Sequence, residues 1–199
     1  MKVINFDDQD TWLEARKTKI TGSKLKDIVV LRGKEKKIGY YELIAERLAL
    51  PPDDENPMER GNRLESEAIE EFEKVTGKKV DNSLQMWVSD DEESIALSPD
   101  GVIGETEAVE VKCLSSARHI KAFFELVPKD FKFQTLQYFI VNEKLEKLYF
   151  AFYDPRLIVK QFFFHVIERK DIQEEVEKYL EYQKNIINEI NEIVNELTF

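Results

Sequence analysis

The hydrophobic period of this chain changes at Gly77. Before it, "GNRLESEAIEEFEKVTG" places Leu64, Ala68, Ile69, Phe72 and Val75 on one face of a helix that the glycine ends. After it come "SLQMWVS", "SIALS", "GVIG" and "AVEVKCL". These are short, β-rich and parted by turn residues such as Asp90-Asp91 and Asp100-Gly101. They read as a strand meander. Helical patterns return near 117–126 and 131–142, and two strands follow in "KLYFAFYD" and "VKQFFFHVI". From Asp171 one long helix carries an apolar stripe from Ile172 to Leu197. That stripe packs on the parent domain or, as the second choice, on another subunit. Upstream, "TWLEARKTKI", "TGSKLKDIVV" and "YYELIAERLAL" read as three more helices. Thr21-Gly22-Ser23 caps the second, and Pro51-Pro52 stops the third. The order predicts an α/β (α+β) domain with a central mixed β-sheet flanked by helices and a long C-terminal helix.

At 199 residues the chain makes one domain with a core of its own. Its parts are a helical, basic stretch over 1–50, a core over 60–167 and the helix over 170–197. The single cysteine, Cys113, excludes an internal disulfide and any four-cysteine zinc or iron–sulfur site. No apolar run reaches membrane-spanning length, and "MKVINFDDQD" lacks the apolar centre of a signal peptide. A cytoplasmic protein is expected. The net charge of −11 argues against a polyanionic partner, but the charge is unevenly spread. Residues 16–37 hold nine Lys/Arg against Asp27 and Glu35, a balance of +7, so the remainder carries −18. Such a basic end meets a polyanion, or is simply a solvated face.

"LSPDGVIGETEAVEVK" concentrates the chemistry. In "AVEVK" Val109 and Val111 point to one face of a strand, and Glu110 and Lys112 to the other. Asp100 ends the preceding strand, with Gly101 allowing the turn. If the two strands form a hairpin, Asp100 and Glu110 meet at one sheet edge. Paired carboxylates repel unless a cation separates them. Mg²⁺ suits such a site, taking the carboxylates, the Val111 carbonyl and retained waters. Lys112 then orients a water or offsets charge on a phosphoryl group. The bland alternative is a Glu–Lys surface pair beside a turn aspartate.

Three further elements frame that pair. Glu65 borders the buried face of its helix, either as a further acid or as the N3 partner of an Asn62 cap. In "QTLQY", Gln134 and Tyr138 share a helix face and can hydrogen-bond a phosphate or the lysine, or can be ordinary polar edge residues. Near the N-terminus Trp12 and Arg16 lie one turn apart, with Ser23 seven residues on. A guanidinium and a hydroxyl at a helix start suit a terminal phosphate. An ordinary cap with an exposed arginine fits the same residues.

"W…R…iTGS", "RGNRLESEAIEEFEKVTG", "ALSPDGVIGETEAVEVKC" and "FKFQTLQY", in that order, resemble the YqaJ viral recombinase family. That family includes lambda-type alkaline exonuclease, within the PD-(D/E)XK nuclease superfamily with its restriction-endonuclease-like core. The resemblance runs from about Trp12 to Tyr153. It implies that Asp100, Glu110 and the Val111 carbonyl bind metal, that Lys112 is the catalytic lysine and that Glu65 assists at the metals. It implies that Arg16 and Ser23, with Trp12 and Thr21 beside them, receive a 5′-phosphate. Gln134 and Tyr138 resemble the Gln-x-x-x-Tyr motif of related nucleases. The implied activity is Mg²⁺-dependent 5′→3′ digestion of duplex DNA from its ends, with two metal ions per site and Mn²⁺ able to substitute. The implied product is a 3′ overhang passed to a single-strand annealing protein, in a phage or prophage setting. The implied assembly is a ring of three subunits around the DNA, with no membrane partner. Leu136 stands where a second glutamine is common, and Leu114 where a proline is common. A structure-specific endonuclease of the same core and a non-catalytic DNA-end-binding module are the rival readings.

Overall fold

The computed structural model describes residues 3–52, 55–127 and 129–198. Three helices open the chain: α1 (Gln9–Arg16), α2 (Gly22–Ile28) and α3 (Ile38–Arg47). The long helix α4 (Pro57–Thr76) follows, then β1 (Trp87–Val88), β2 (Ala96–Leu97), β3 (Gly101–Ile103) and β4 (Glu107–Lys112). Helices α5 (Ser116–Glu125) and α6 (Lys132–Val141) precede β5 (Lys147–Tyr153), β6 (Phe162–Glu168) and α7 (Arg169–Thr198).

The β-rich segments do not form one meander. β1 and β2 pair alone, whereas β3, β4, β5 and β6 lie in that order in a four-stranded sheet. β3–β4 and β5–β6 are antiparallel, and β4–β5 is parallel. The parallel pair needs a crossover, which α5 and α6 supply. The expected mixed α/β architecture is therefore the one observed.

Each face of the sheet has its own core. On one, α4 lays Leu64, Ala68, Ile69 and Phe72 against Val109, Val111, Tyr149 and Ala151. On the other, α6 and the first half of α7 cover Ala108, Leu148, Phe150 and Phe152. The alternation along β4 thus sends its valines to α4 and Glu110 towards α6, as a period of two requires. Gly101 is required by packing: a Cβ there would sit 2.4 Å from a Val80 methyl and 2.8 Å from one of Val109.

Several local expectations need correction. α4 begins at Pro57, and Asn56 is its cap, accepting from Met58 N at 2.9 Å. Proline at the first helical position explains the earlier start. Asn62 therefore lies inside the helix, and the capping-box account of Glu65 is removed. Val75 is exposed, off the face that Leu64, Ala68, Ile69 and Phe72 bury. The Thr21-Gly22-Ser23 cap does not form: Thr21 occupies the cap position of α2 without a side-chain cap bond. Its hydroxyl pairs with that of Ser23 instead, at 3.0 Å. α7 starts two residues before Asp171, at Arg169. The Arg169 guanidinium reaches back to the Phe139 and Asn142 carbonyls, closing the end of α6.

Burial makes one titration visible. His119 is fully buried, with Nε2 2.8 Å from the Lys160 carbonyl, so Nε2 carries the proton and donates. Nδ1 has no partner among the described residues, and burial holds the imidazole pKa below its usual value. The unfolded chain then binds more protons than the folded one once pH falls below about 6.5. Stability from this group is present above that pH and is lost as pH falls. His119→Leu is expected to flatten the acid limb of the Tm-versus-pH curve between about pH 6.5 and 5. An unchanged slope would remove the assignment.

Candidate active site

The β3–β4 hairpin builds the centre. Antiparallel pairing sets Gly101 opposite Val109, so the same register brings Asp100 level with Glu110. Asp100 Oδ2 accepts from Val111 N at 2.8 Å, so the aspartate is pinned to the backbone of β4. Tyr138 Oη accepts from Asp100 N at 3.3 Å and donates to Glu110 Oε2 at 2.5 Å. Gln134 Nε2 donates to Glu110 Oε1 at 2.5 Å, and Lys112 Nζ pairs with the same oxygen. Gln134 and Tyr138 thus grip Glu110 from α6, rather than the lysine that one sequence reading gave them. The four-residue spacing found their common face; what that face meets depends on the α6 crossover, which no local pattern encodes.

Glu110 is 1% exposed. Burial raises its pKa to about 7, with the nearby Asp100 charge adding to the rise and Lys112 opposing it. Burial also raises Asp100, against the Val111 N–H and Lys112. Glu65, on the next turn of α4 from the buried Arg60, is raised by burial and then by Asp100. Lys112 is the ammonium that offsets all three carboxylates. It lies 5.5 Å from the Phe131 ring centre and 6.0 Å from that of Phe150, so two aromatic faces border its charge.

These residues open on a cleft of about 440 Å³. Glu65, Asp100, Val111 and Lys112 line it, together with Arg60 and Arg118. Glu110 lies behind this wall, held by α6. Sequence reasoning missed Arg118 and Ser115. The signal was "SSARH" directly after a strand: Ser115 caps α5, accepting from Arg118 N at 3.4 Å, and turns the helix start towards the site. Cys113 also lines the cleft, but burial pushes its thiol up to about 12, so it is no ready nucleophile.

The N-terminal set stands apart from the cleft lining. The Arg16 guanidinium stacks 4.3 Å above the Trp12 ring, and Thr21 pairs with Ser23. None of these four residues is among those that line the cleft.

The donor set suits a hard divalent cation: two carboxylates, with the Val111 carbonyl on the strand that carries one of them, and a mutual repulsion that a cation would relieve. Among the described residues no three His, Cys, Asp or Glu side chains close on a common point. Asp100 and Glu110 lie level across the hairpin, and Glu65 is close enough for the Asp100 charge to raise its pKa. No helix among these residues is long and apolar enough to cross a membrane.

The mixed sheet carries a carboxylate pair and a lysine at the end of its hairpin, beside a cleft with Arg60 and Arg118 on its wall, and this fold is that of solved alkaline exonucleases. The solved alkaline exonuclease LHK-Exo from Laribacter hongkongensis is 26% identical and superposes with a TM-score of 0.56, covering 95% of this chain and 100% of that one. The same exonuclease in complex with dAMP is 27% identical at the same TM-score and coverage. The model of the YqaJ-like viral recombinase domain matches residues 11–144, and the chain belongs to that family. No curated protein sequence matches it.

Proposed function

We propose that this protein is a Mg²⁺-dependent 5′→3′ exonuclease of duplex DNA ends, leaving 3′ single-stranded overhangs for phage-type recombination. The observation that carries the reading is the convergence of Asp100, Glu110 and Lys112 at one hairpin end beside an open cleft. Asp100, Glu110 and the Val111 carbonyl would hold the cation, with Glu65 assisting, and Mn²⁺ would substitute for Mg²⁺. When bound, metal of this kind lowers the pKa of a water and stabilises charge on a phosphoryl group; the family resemblance gives two ions per site.

The chain's own residues do the rest. Gln134 and Tyr138 fix the Glu110 carboxylate, so its oxygens need no reorganisation during reaction. Asp100 is fixed by Val111 N. Lys112, bordered by aromatic faces, lies on the cleft wall, where it would position a water or offset developing charge. Arg118 places a guanidinium on the same wall for the DNA backbone. The dAMP bound by LHK-Exo supports a nucleotide product.

The residues over 1–50 would bind the DNA end, Arg16 and Ser23 taking its 5′-phosphate with Trp12 and Thr21 beside them. A ring of three subunits would let an acidic protein keep hold of DNA by topology, its basic segments facing the bore and its acidic outside facing solvent. A single-strand annealing protein in the host cytoplasm would receive the overhang. Arg16→Ala is expected to reduce the preference for 5′-phosphorylated over 5′-hydroxyl ends by about tenfold, or roughly 1.4 kcal/mol. Equal use of both ends by wild type would remove that pocket.

Linear and covalently closed circular duplex, each with Mg²⁺ or with chelator, test the whole reading. Linear DNA should release nucleotides only with metal, and the circle should survive. Cleavage of the circle would establish an endonuclease instead. No release from either would leave a binding module.

A further inference from the structure

The cleft does not end at Arg118. That residue and Leu114 also line a second space, of about 90 Å³, together with Lys121 and Phe131. The Phe131 ring is the one that lies 5.5 Å from Lys112 Nζ, so this space begins one aromatic ring away from the proposed catalytic lysine. Lys121 and Asp130 in turn border both this space and a third, wider one of about 500 Å³, which Lys34, Lys36 and Lys129 also wall. The three spaces thus share walls in series. Helix α5 supplies a common side: Arg118 and Lys121 are three residues apart and stand on one face.

Five bases border the two outer spaces against three acids, Glu35, Glu125 and Asp130, in a chain whose net charge is −11. Glu35 pairs with Lys129, and both side chains are exposed. An exposed pair is worth little, so a phosphate can take that lysine at small cost. Glu125 lies 3.5 Å from Lys121 but also accepts from Tyr41 Oη at 2.9 Å, so it does not depend on the lysine. Lys34 and Lys36 belong to the stretch 16–37 that carries +7. Through them that stretch meets the wall that begins at the cleft, which Arg16 and Ser23 do not line.

Cations along a furrow with an aromatic ring at one end make a single-strand site: the cations follow the backbone and the ring meets a base. The middle space, at about 90 Å³, admits one chain at most, since a single groove of a duplex is already about 12 Å wide. The reaction proposed above makes one such chain at this place. It is the partner of the digested strand, left unpaired as each nucleotide departs. We propose that the furrow along α5 takes this surviving strand. Arg118 and Lys121 hold its phosphates on the α5 side, Lys34, Lys36 and Lys129 hold them further out, and Phe131 offers its ring to a base. The assignment rests on the exonuclease reading and gives the path of its product.

Fluorescence anisotropy of the full-length chain in chelator tests it, with three probes: a blunt duplex, the same duplex with a 3′ overhang of about ten nucleotides, and one with an equal 5′ overhang. Wild type should bind the 3′-overhang probe at least about tenfold tighter than either other probe. Lys121→Ala with Lys129→Ala should lose that preference. Lys34→Ala with Lys36→Ala, at exposed positions, should lose it too, and keeps the test open if the first variant fails to fold. In each variant the slope of log Kd against log salt for the 3′-overhang probe should fall by about 1.4, two phosphate contacts at about 0.7 each. Equal wild-type affinity for all three probes, an equal gain from the 5′ overhang, or wild-type preference in both variants would each overturn the furrow. Mg²⁺ is then added to the same samples. Nucleotide release without overhang preference refutes the furrow alone, and overhang preference without release refutes the nuclease reading alone.

Discussion

Lys112→Ala and Asp100→Asn proteins are expected to unfold at nearly the wild-type temperature yet lose at least about a thousandfold in hydrolysis rate, some 4 kcal/mol of transition-state stabilisation. The two halves of this expectation have separate causes. Lys112 is partly exposed at the cleft wall, and its pairing with Glu110 is one of three contacts that carboxylate receives. Removing the ammonium leaves Gln134 and Tyr138 in place. Asp100→Asn preserves the side-chain oxygen that accepts from Val111 N while deleting a charge that raises its neighbours' pKa values. In Asp100→Asn relief of repulsion offsets part of what the fold loses, and in Lys112→Ala protonation of the buried Glu110, whose pKa is already raised, removes the charge that the ammonium offset. The site loses a cation ligand or its positive charge. Circular dichroism melts with nucleotide release from linear duplex read both halves, and wild-type turnover in either variant would refute the roles assigned.

The largest stability effect is expected away from the cleft, at Asp154. This carboxylate is wholly buried just beyond the end of β5. It accepts from Ser116 Oγ at 2.6 Å, from Arg156 Nε at 2.7 Å and from Arg156 N at 3.1 Å. Arg156 Nη2 also donates to the Leu114 carbonyl at 3.1 Å. The cluster ties β5 to the segment between β4 and α5, which carries cleft-lining Leu114 and Ser115. Asp154→Ala takes from a buried hydroxyl, and from an arginine that is only 21% exposed, the carboxylate to which both donate. Breaking a buried pair costs about 3–5 kcal/mol, and the partial exposure of Arg156 sets the low end, about 3. A domain of this size should then lose roughly 6–12 °C in Tm. Asp154→Asn, which can still accept from Ser116, should recover part of that. A loss below about 1 kcal/mol for alanine would show that the cluster is not a structural tie.

What could be read in advance divides along physical lines. Periods of 3.6 and 2 are local, so α4, the alternation of β4 and the carboxylate–lysine centre were legible before any coordinates. Asp100 was legible because a turn glycine follows it. Caps were misread because several oxygen-bearing residues compete for one position: Asn56 before Pro57 prevailed over Asn62, and Thr21 turned to Ser23. The split of the β segments into two sheets was hidden, since partner choice depends on crossovers. For the same reason the grip of Gln134 and Tyr138 on Glu110, and the place of Arg118 on the cleft wall, required the packing of α6 and α5. The long apolar stripe of α7 looked uniform, yet only the turns that reach the core are covered, and no period marks where a domain ends.

The proposed hydrolysis depends on a cation that Asp100 and Glu110 would share beside Lys112. Anomalous diffraction from crystals grown with Mn²⁺ reads it most directly. A peak within bonding distance of both carboxylates and the Val111 carbonyl, lost in Asp100→Asn crystals, is the predicted result. Full Mn²⁺ occupancy elsewhere, with that position bare, would contradict it.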